Sequence, residues 1–331
     1  LEAGVSGNNQ VICEGSIPSD LIEITAASGG SGSYTYQWKS STDKHGLFTI
    51  IAGATDEYLT LGSPLSDTTY YIRVISSGAY APVETDTVVV AVQPLLTAGT
   101  VANVGADEIC AGDQACTFAE SGSAAGGDGV YEYQWLSREA SAASYQEIPG
   151  ATSSDYQSPA GLPSTTYYKR RVRSGQCDEV FSNELIVTVN PLPAVSLSSS
   201  APTSTICQGT EVTFTATGAD VYEFYVNGNT VQGPSPVATY QTDTLVHLDE
   251  IYVRGTDANG CQAVSSRITT VVNELPTATI SGATDICING QVSLIFNMTG
   301  KLPFEVVYTN GSNQFTLTDQ SYESIVNVRP T

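Results

Sequence analysis

The chain has 331 residues, 41% of them hydrophobic, enough for two to four globular domains. It carries 34 acidic against 12 basic side chains, a net charge of −22. Phosphate backbones and anionic lipid surfaces draw their partners through Lys and Arg, so nucleic-acid and direct lipid binding are excluded as functions. No apolar run approaches the 18 residues of a membrane span.

In chain order, one pattern recurs. A start signal reads "ICEG" at 12–15, "ICAG" at 109–112, "ICQG" at 206–209 and "ICING" at 286–290, with cysteines 97, 97 and 80 residues apart. A tyrosine-rich phrase follows, "GGSGSYTYQW" (29–38) and "GGDGVYEYQW" (126–135), with weaker echoes in "YEFYVNG" (222–228) and "FEVVYTNG" (304–311). Next, "IAGATDEYLTL" (51–61) matches "IPGATSSDYQS" (148–158). Then "LSDTTYYIRVISSG" (65–78) matches "LPSTTYYKRRVRSG" (162–175), and "IYVRGTDANGC" (251–261) fills that slot in the third copy. Each full copy closes on an alternating apolar run and a proline: "TVVVAVQP", "LIVTVNP", "ITTVVNELP".

These phrases read as strands. Val, Ile, Thr and Tyr alternate with polar residues between Gly, Pro, Asn and Asp, and helical periodicity is absent. About seven short strands in 80–97 residues predict all-β sandwiches in tandem, arranged as an elongated row. Boundaries at Pro94, Pro191–Pro193 and Pro276 give domains at 1–94, 95–192 and 193–276, with a partial fourth at 277–331. The fourth has about 55 residues, so its remainder is expected beyond Thr331; the opening inside a repeat reads as a mature or excised segment. Trp38 is expected in the inter-sheet core, with Tyr34 and Tyr36 on its face. The Leu-x-x-Thr-Thr-Tyr-Tyr phrase is similar to a tyrosine corner.

Chemistry finds few footholds. The two histidines, His45 and His247, lie in different repeats, and no metalloprotease, nucleophile-elbow, P-loop or dinucleotide motif is present. A non-enzyme is expected, with no cofactor. Calcium has one weak candidate, Asp257 and Asn259 in "DANG", where a turn is the simpler reading. The glycine loops 28–33 and 124–129 read as flexible connections rather than ligand tips. Arg73, Arg170 and Arg254 each stand two residues after a tyrosine (Tyr71, Tyr168, Tyr252), hence on the same sheet face. A structural role is expected: stacking on an aromatic, or pairing with a carboxylate on a neighbouring strand.

The order "GNNQVICEG", "GGSGSYTYQW", "IAGAT" and "TTYYIRVISSG" resembles the tandem Ig-like or PKD-like repeats of giant Bacteroidota surface proteins, such as gliding-motility adhesins of the SprB type. The resemblance covers 1–192 strongly, 193–276 clearly and 277–331 only at its start. It implies type IX secretion, attachment to the outer surface, and service as a non-catalytic stalk that holds an adhesive tip away from the cell. Implied partners are outer-membrane secretion or motility machinery, extracellular surfaces or glycans, and neighbouring repeats. The alternative is a carbohydrate- or protein-binding accessory module of a secreted enzyme. Secreted proteins of that group are often O-glycosylated at Asp-Thr followed by a small apolar residue or Thr, which makes Thr68, Thr87 and Thr244 candidates.

The seven cysteines form no CxxC pair, and wide spacing in an acidic chain points to structural disulfides. If first and last strands of a sandwich are neighbours, Cys110 pairs with Cys177 and Cys207 with Cys261. Tyr80 stands where copies two and three have Cys177 and Cys261, so Cys13 is expected to lack a partner. Cys116 is expected free, Cys287 to find its partner beyond Thr331, and a Cys13–Cys116 bridge is excluded by a domain's length.

Overall fold

The computed structural model describes every residue except 202, 283, 284, 286, 288, 289, 310, 330 and 331. Three of these fall in the fourth start signal, so the reading of "ICING" lies partly outside the described residues. All described regular elements are strands. The chain divides into two compact units, Leu1–Asn190 and Pro191–Thr331.

The first sandwich sets the plan. Its strands are β1 (Val5–Gly7), β2 (Gln10–Cys13), β3 (Ile22–Thr25), β4 (Thr35–Ser41), β5 (Thr49–Ile50), β6 (Thr69–Ser76), β7 (Val83–Glu84) and β8 (Val88–Gln93). β1 and β3 pair antiparallel in one sheet. The other sheet runs β2-β8-β6-β4-β5, with β7 on the flank of β6. The chain changes sheets between β1 and β2 at Asn8, whose φ of 83° suits an asparagine and whose side-chain amide donates to the Asp20 carbonyl at 2.8 Å. β2 therefore runs parallel to the last strand, with Cys13 beside Gln93.

The second sandwich repeats the plan. Thr100–Val104, Thr117–Gly122 and Tyr156–Gln157 make one sheet. Glu108–Cys110, Leu185–Asn190, Thr166–Arg173, Glu132–Glu139 and Gln146–Glu147 make the other, again with a parallel first-to-last pair. In the second unit, Ser196–Ser199, Val212–Thr217 and Thr239–Thr242 oppose a sheet centred on Val221–Val226 and Glu250–Thr256. Residues 277–328 add two further small sheets.

The repeated phrase "YxYQW" is explained letter by letter. The tryptophan indoles are fully buried, and each N–H donates at 3.0 Å to a backbone carbonyl, Asp56 for Trp38 and Ser153 for Trp135. The preceding glutamine holds the Ile-x-Gly-Ala-Thr turn: Gln37 donates to the Ile51 carbonyl at 2.8 Å and Gln134 to that of Ile148 at 2.7 Å. The first tyrosine ties down the glycine loop, its hydroxyl donating to the carbonyl of Gly29 (2.8 Å) or Gly126 (3.2 Å). Around Trp38 pack Leu21, Leu59, Tyr71, Val88 and Val90. In the second copy Phe118 is wedged between Trp135 and Tyr168, ring centroids 5.5 and 4.7 Å away. Each such fully buried apolar side chain contributes about 1.5–3 kcal/mol. The third core has no tryptophan and closes on Phe214, Phe224, Ile251 and Val253.

Candidate functional site

Three features carry chemistry beyond core packing: a buried arginine in each of the first two sandwiches, the cysteines, and the junction between those sandwiches.

Arg73, on β6, faces inward opposite Trp38 and is completely buried. Its guanidinium lies 4.7 Å from the Tyr36 ring centre and 5.8 Å from that of Trp38. Nη1 meets Glu23 of the opposing sheet at 2.8 Å and donates to the Glu57 carbonyl at 2.6 Å. Arg170 repeats this with Tyr133 (4.5 Å), Glu120 (3.0 Å) and the Ser154 carbonyl (2.8 Å), and adds a bond to the Ala98 carbonyl at 3.0 Å. In an antibody-type sandwich a disulfide joins the two sheets against a buried tryptophan. Here an ion pair on the corresponding strands joins them. Planarity lets one guanidinium stack on the rings while its edge donates, which an ammonium could not do.

Arg254 departs from the expected equivalence. In strand Glu250–Thr256 the buried residues are Ile251, Val253 and Gly255, so Arg254 and Tyr252 point outward. Arg254 pairs with Glu223 directly across the same sheet and lies 5.7 Å from the Tyr225 ring centre. All three arginines find a carboxylate partner, but only Arg254 finds it on a neighbouring strand as expected; Arg73 and Arg170 reach across to the opposite sheet.

The cysteine pairings differ from expectation. Cys13 is bonded to Cys177, with Cα atoms 4.8 Å apart and 164 residues between them in sequence. Cys207 is free and exposed. Neither Cys110–Cys177 nor Cys207–Cys261 therefore forms, and Cys13 has not lost its partner. Cys110 and Cys261 are disulfide-bonded rather than free. The physical reason lies in strand direction. Cys110 sits beside Asn190, at the end of the last strand. Cys177 follows strand Thr166–Arg173, whose start, not its end, lies near that point. The two cysteines occupy opposite ends of one sandwich. Cys13, beside Gln93, is at the exit end of its own and meets the entry end of the next. Cys116 and Cys287 are free, Cys116 being buried, and burial pushes its thiol above the ordinary value.

The junction is built around the Pro94 carbonyl. Gly127 N–H donates to it at 2.8 Å, and the sulfurs of Cys13 and Cys177 lie 3.9 and 3.6 Å from it. The Gln93 side chain accepts from Gln176 N–H at 2.8 Å, and Leu95 N–H reaches Glu14 at 3.4 Å. Thr97 and Ala125 exchange backbone hydrogen bonds of 2.8 and 3.2 Å. Leu96 and Ala98 are buried against Ala124 and Val172, with Tyr131, Tyr133 and Cys177 around them. The loop 124–129 is thus a seat for the linker, not a slack connection. A Cβ on Gly126 would stand 2.0 Å from the Leu95 carbonyl oxygen, and one on Gly127 2.2 Å from Ser174 Oγ. Ser174 fastens the loop by donating to Asp128 at 2.8 Å; the Val130 N–H and this bond hold the Asp128 carboxyl below its ordinary value. Loop 28–33 has the same build, with Ser77 Oγ 2.9 Å from the Ser31 hydroxyl.

The remaining candidates are isolated. His45 and His247 are exposed loop residues. The Asp257 carboxylate accepts N–H bonds from Asn259 and Cys261, both 2.9 Å, the arrangement of a turn. Among the described residues no three His, Cys, Asp or Glu side chains cluster as a metal site. Thr68 accepts the Val92 N–H at 3.0 Å, Thr87 is half-buried, and Thr244 is exposed with its hydroxyl 3.0 Å from that of Thr242. Sequence reasoning misses Glu23, Glu120, Gln93 and Pro94 as functional partners. For the two glutamates a signal lies in repetition, since Glu23 and Glu120 stand 97 residues apart, the period of the repeat.

No curated protein matches the chain. Among solved structures it is similar to a marsupial T cell receptor (12% identity, 96% of this chain and 100% of that one, TM-score 0.40). The four N-terminal Ig domains of Dscam1 isoform 6.9 give 10% identity over 82% and 72% of the two chains, TM-score 0.27. The fibronectin(III)-like modules of CbhA from Clostridium thermocellum give 15% over 52% and 95%, TM-score 0.24. The family model described as domain of unknown function DUF8696 matches twice, at residues 2–94 and 97–191. With more than half its length in those two copies, the chain belongs to the DUF8696 family.

Proposed function

We propose that this chain is a non-catalytic stalk segment of a large bacterial cell-surface adhesin, exported and held at the outer membrane, which keeps a distal tip clear of the cell for attachment or gliding. The observation that supports this reading is the Cys13–Cys177 bridge across the junction of two repeats. A binding module gains little from locking one copy to the next, whereas a spacer depends on it. The inter-sheet ion pairs recur in core positions of the first two sandwiches, with both arginines completely buried. A disulfide closing so long a loop belongs to a protein that folds in an oxidising compartment. Among the described residues no helix is long and apolar enough to cross a membrane. The partners of this segment are accordingly its neighbouring repeats.

The test is a glycan and peptide array probed with the 331-residue chain. The stalk reading expects no specific binding at micromolar concentration. A specific micromolar ligand would show instead that these sandwiches recognise something themselves.

A further inference from the structure

We propose that the Cys13–Cys177 bridge is a covalent load bypass, which takes tension off both sandwiches of the first unit. The inference rests on the stalk reading for its purpose, but its mechanics follow from the position of the bond alone.

Consider tension entering at Leu1 and leaving at Asn190. Cys13 closes β2, the second strand of the chain, and Cys177 follows strand Thr166–Arg173 of the second sandwich. A pull from the N-terminus can peel only β1 and β2 before it reaches Cys13. There it crosses the sulfur–sulfur bond and re-enters the backbone at Cys177, ahead of the last strand, Leu185–Asn190. Strands β3 to β8, the linker at Pro94 and the second sandwich through Arg173 all lie inside the closed loop. Both tryptophans and both arginine–glutamate pairs are inside it as well. Without the bond the same tension would pass in series through the first sandwich and the linker as far as Cys110, which is itself disulfide-bonded.

The site is built to place the bond there. Cys13 is beside Gln93 at the exit end of its sandwich. Pro94, with no N–H to continue the ladder, turns the chain toward Gly127. Gly175, with φ of 56°, lets the Gln93 side chain approach so closely that a Cβ there would stand 2.3 Å from its oxygen. Two residues later Cys177 completes the bridge. The hydrogen bonds of the junction hold the two cysteines in register, and the bond carries what those hydrogen bonds could not.

Single-molecule pulling on the full chain, with click-chemistry handles at Leu1 and Asn190, tests this directly. At 3.3–3.6 Å per extended residue, the 164-residue loop hides roughly 55 nm of chain. The wild type is expected to yield only the two short ends, about 9 nm. Made in a Cys110→Ser background, so that the other bond is absent from both chains, Cys13→Ser is expected to yield roughly 50 nm more than that background, in steps. Should that variant fold poorly, the Cys110→Ser chain reduced after folding gives the same comparison, with its two tryptophans reporting that both cores remain closed. A long extension from the oxidised wild type, or no difference on reduction, overturns the proposal. A short extension together with a specific ligand on the array keeps the bypass and removes the stalk.

Discussion

Arg170 shows how far the spacing of residues along a strand can be read, and where that reading stops. Its place two residues after Tyr168 puts it on a sheet face with an aromatic neighbour, so stacking and a carboxylate partner are both foreseeable. Its complete burial is not, because Arg is seldom buried unless paired and the partner, Glu120, comes from the opposite sheet. Removing one partner of such a pair leaves an uncompensated charge, so Glu120→Gln is expected to cost the second sandwich about 2 kcal/mol, tempered by the partial exposure of Glu120. Replacing both, as Glu120→Leu with Arg170→Met, is expected to return stability to within about 1 kcal/mol of wild type. Urea unfolding followed by tryptophan fluorescence, with Trp38 of the unaltered first sandwich as the common background, measures both; a neutral Glu120→Gln would show that stacking alone holds Arg170. The thiols make a second residue-level test. Cys207 and Cys287 are expected to react promptly with Ellman's reagent, while buried Cys116, its pKa raised, reacts only on unfolding. Prompt reaction of three thiols would contradict the core position of Cys116.

At the scale of elements, strands are legible in the sequence and faces are not uniformly so. Alternation places Trp38 and Trp135 correctly, because both sandwiches share one register across "YxYQW". The third sandwich keeps the Tyr-x-Arg spelling but turns the strand over, and a period of two makes any such one-residue slip exchange inside for outside. The alternation of Ile251 and Val253 with Tyr252 and Arg254 in "IYVRGT" marks the aliphatic face as the buried one, packed with Phe214 and Phe224, and the Tyr-x-Arg spelling alone does not reveal it. The glycine loops read as slack because composition cannot show what presses on them. Gly126, at φ of 84° with the Leu95 carbonyl against it, admits no side chain. Gly126→Ala is therefore expected to destabilise the junction by about 2 kcal/mol, read as a lower midpoint of unfolding. Gly129 has a similar φ of 83° but nothing within 4 Å. Gly129→Ala therefore isolates the backbone cost and is expected to cost about half as much.

For the molecule, the difference between expected and observed disulfides has a single physical origin. A bridge within each copy requires that first and last strands bring their cysteines to one end of the sandwich. The parallel pairing of β2 with β8 sends Cys13 to the exit instead, so bridging runs from one copy into the next. Tyr80 holds in the first copy the slot that Cys177 holds in the second, and its not being cysteine has no bearing on Cys13. Peptide mapping without reductant is expected to recover Cys13 joined to Cys177. Closing a loop of 164 residues restricts the unfolded chain by about 5 kcal/mol, so Cys13→Ser is expected to lower the stability of the first unit by about 2–5 kcal/mol. Equal midpoints for the variant and the oxidised wild type would argue that the bond adds nothing to the fold.

The length of that loop also sets an order of events in time. Synthesis and export deliver Cys13 long before Cys177, with Cys110 and Cys116 emerging between them. Cys13 therefore cannot meet its native partner until two nearer cysteines have already passed. The finished bond reports on two neighbours at once, since it needs the exit end of one sandwich and the entry end of the next in place together.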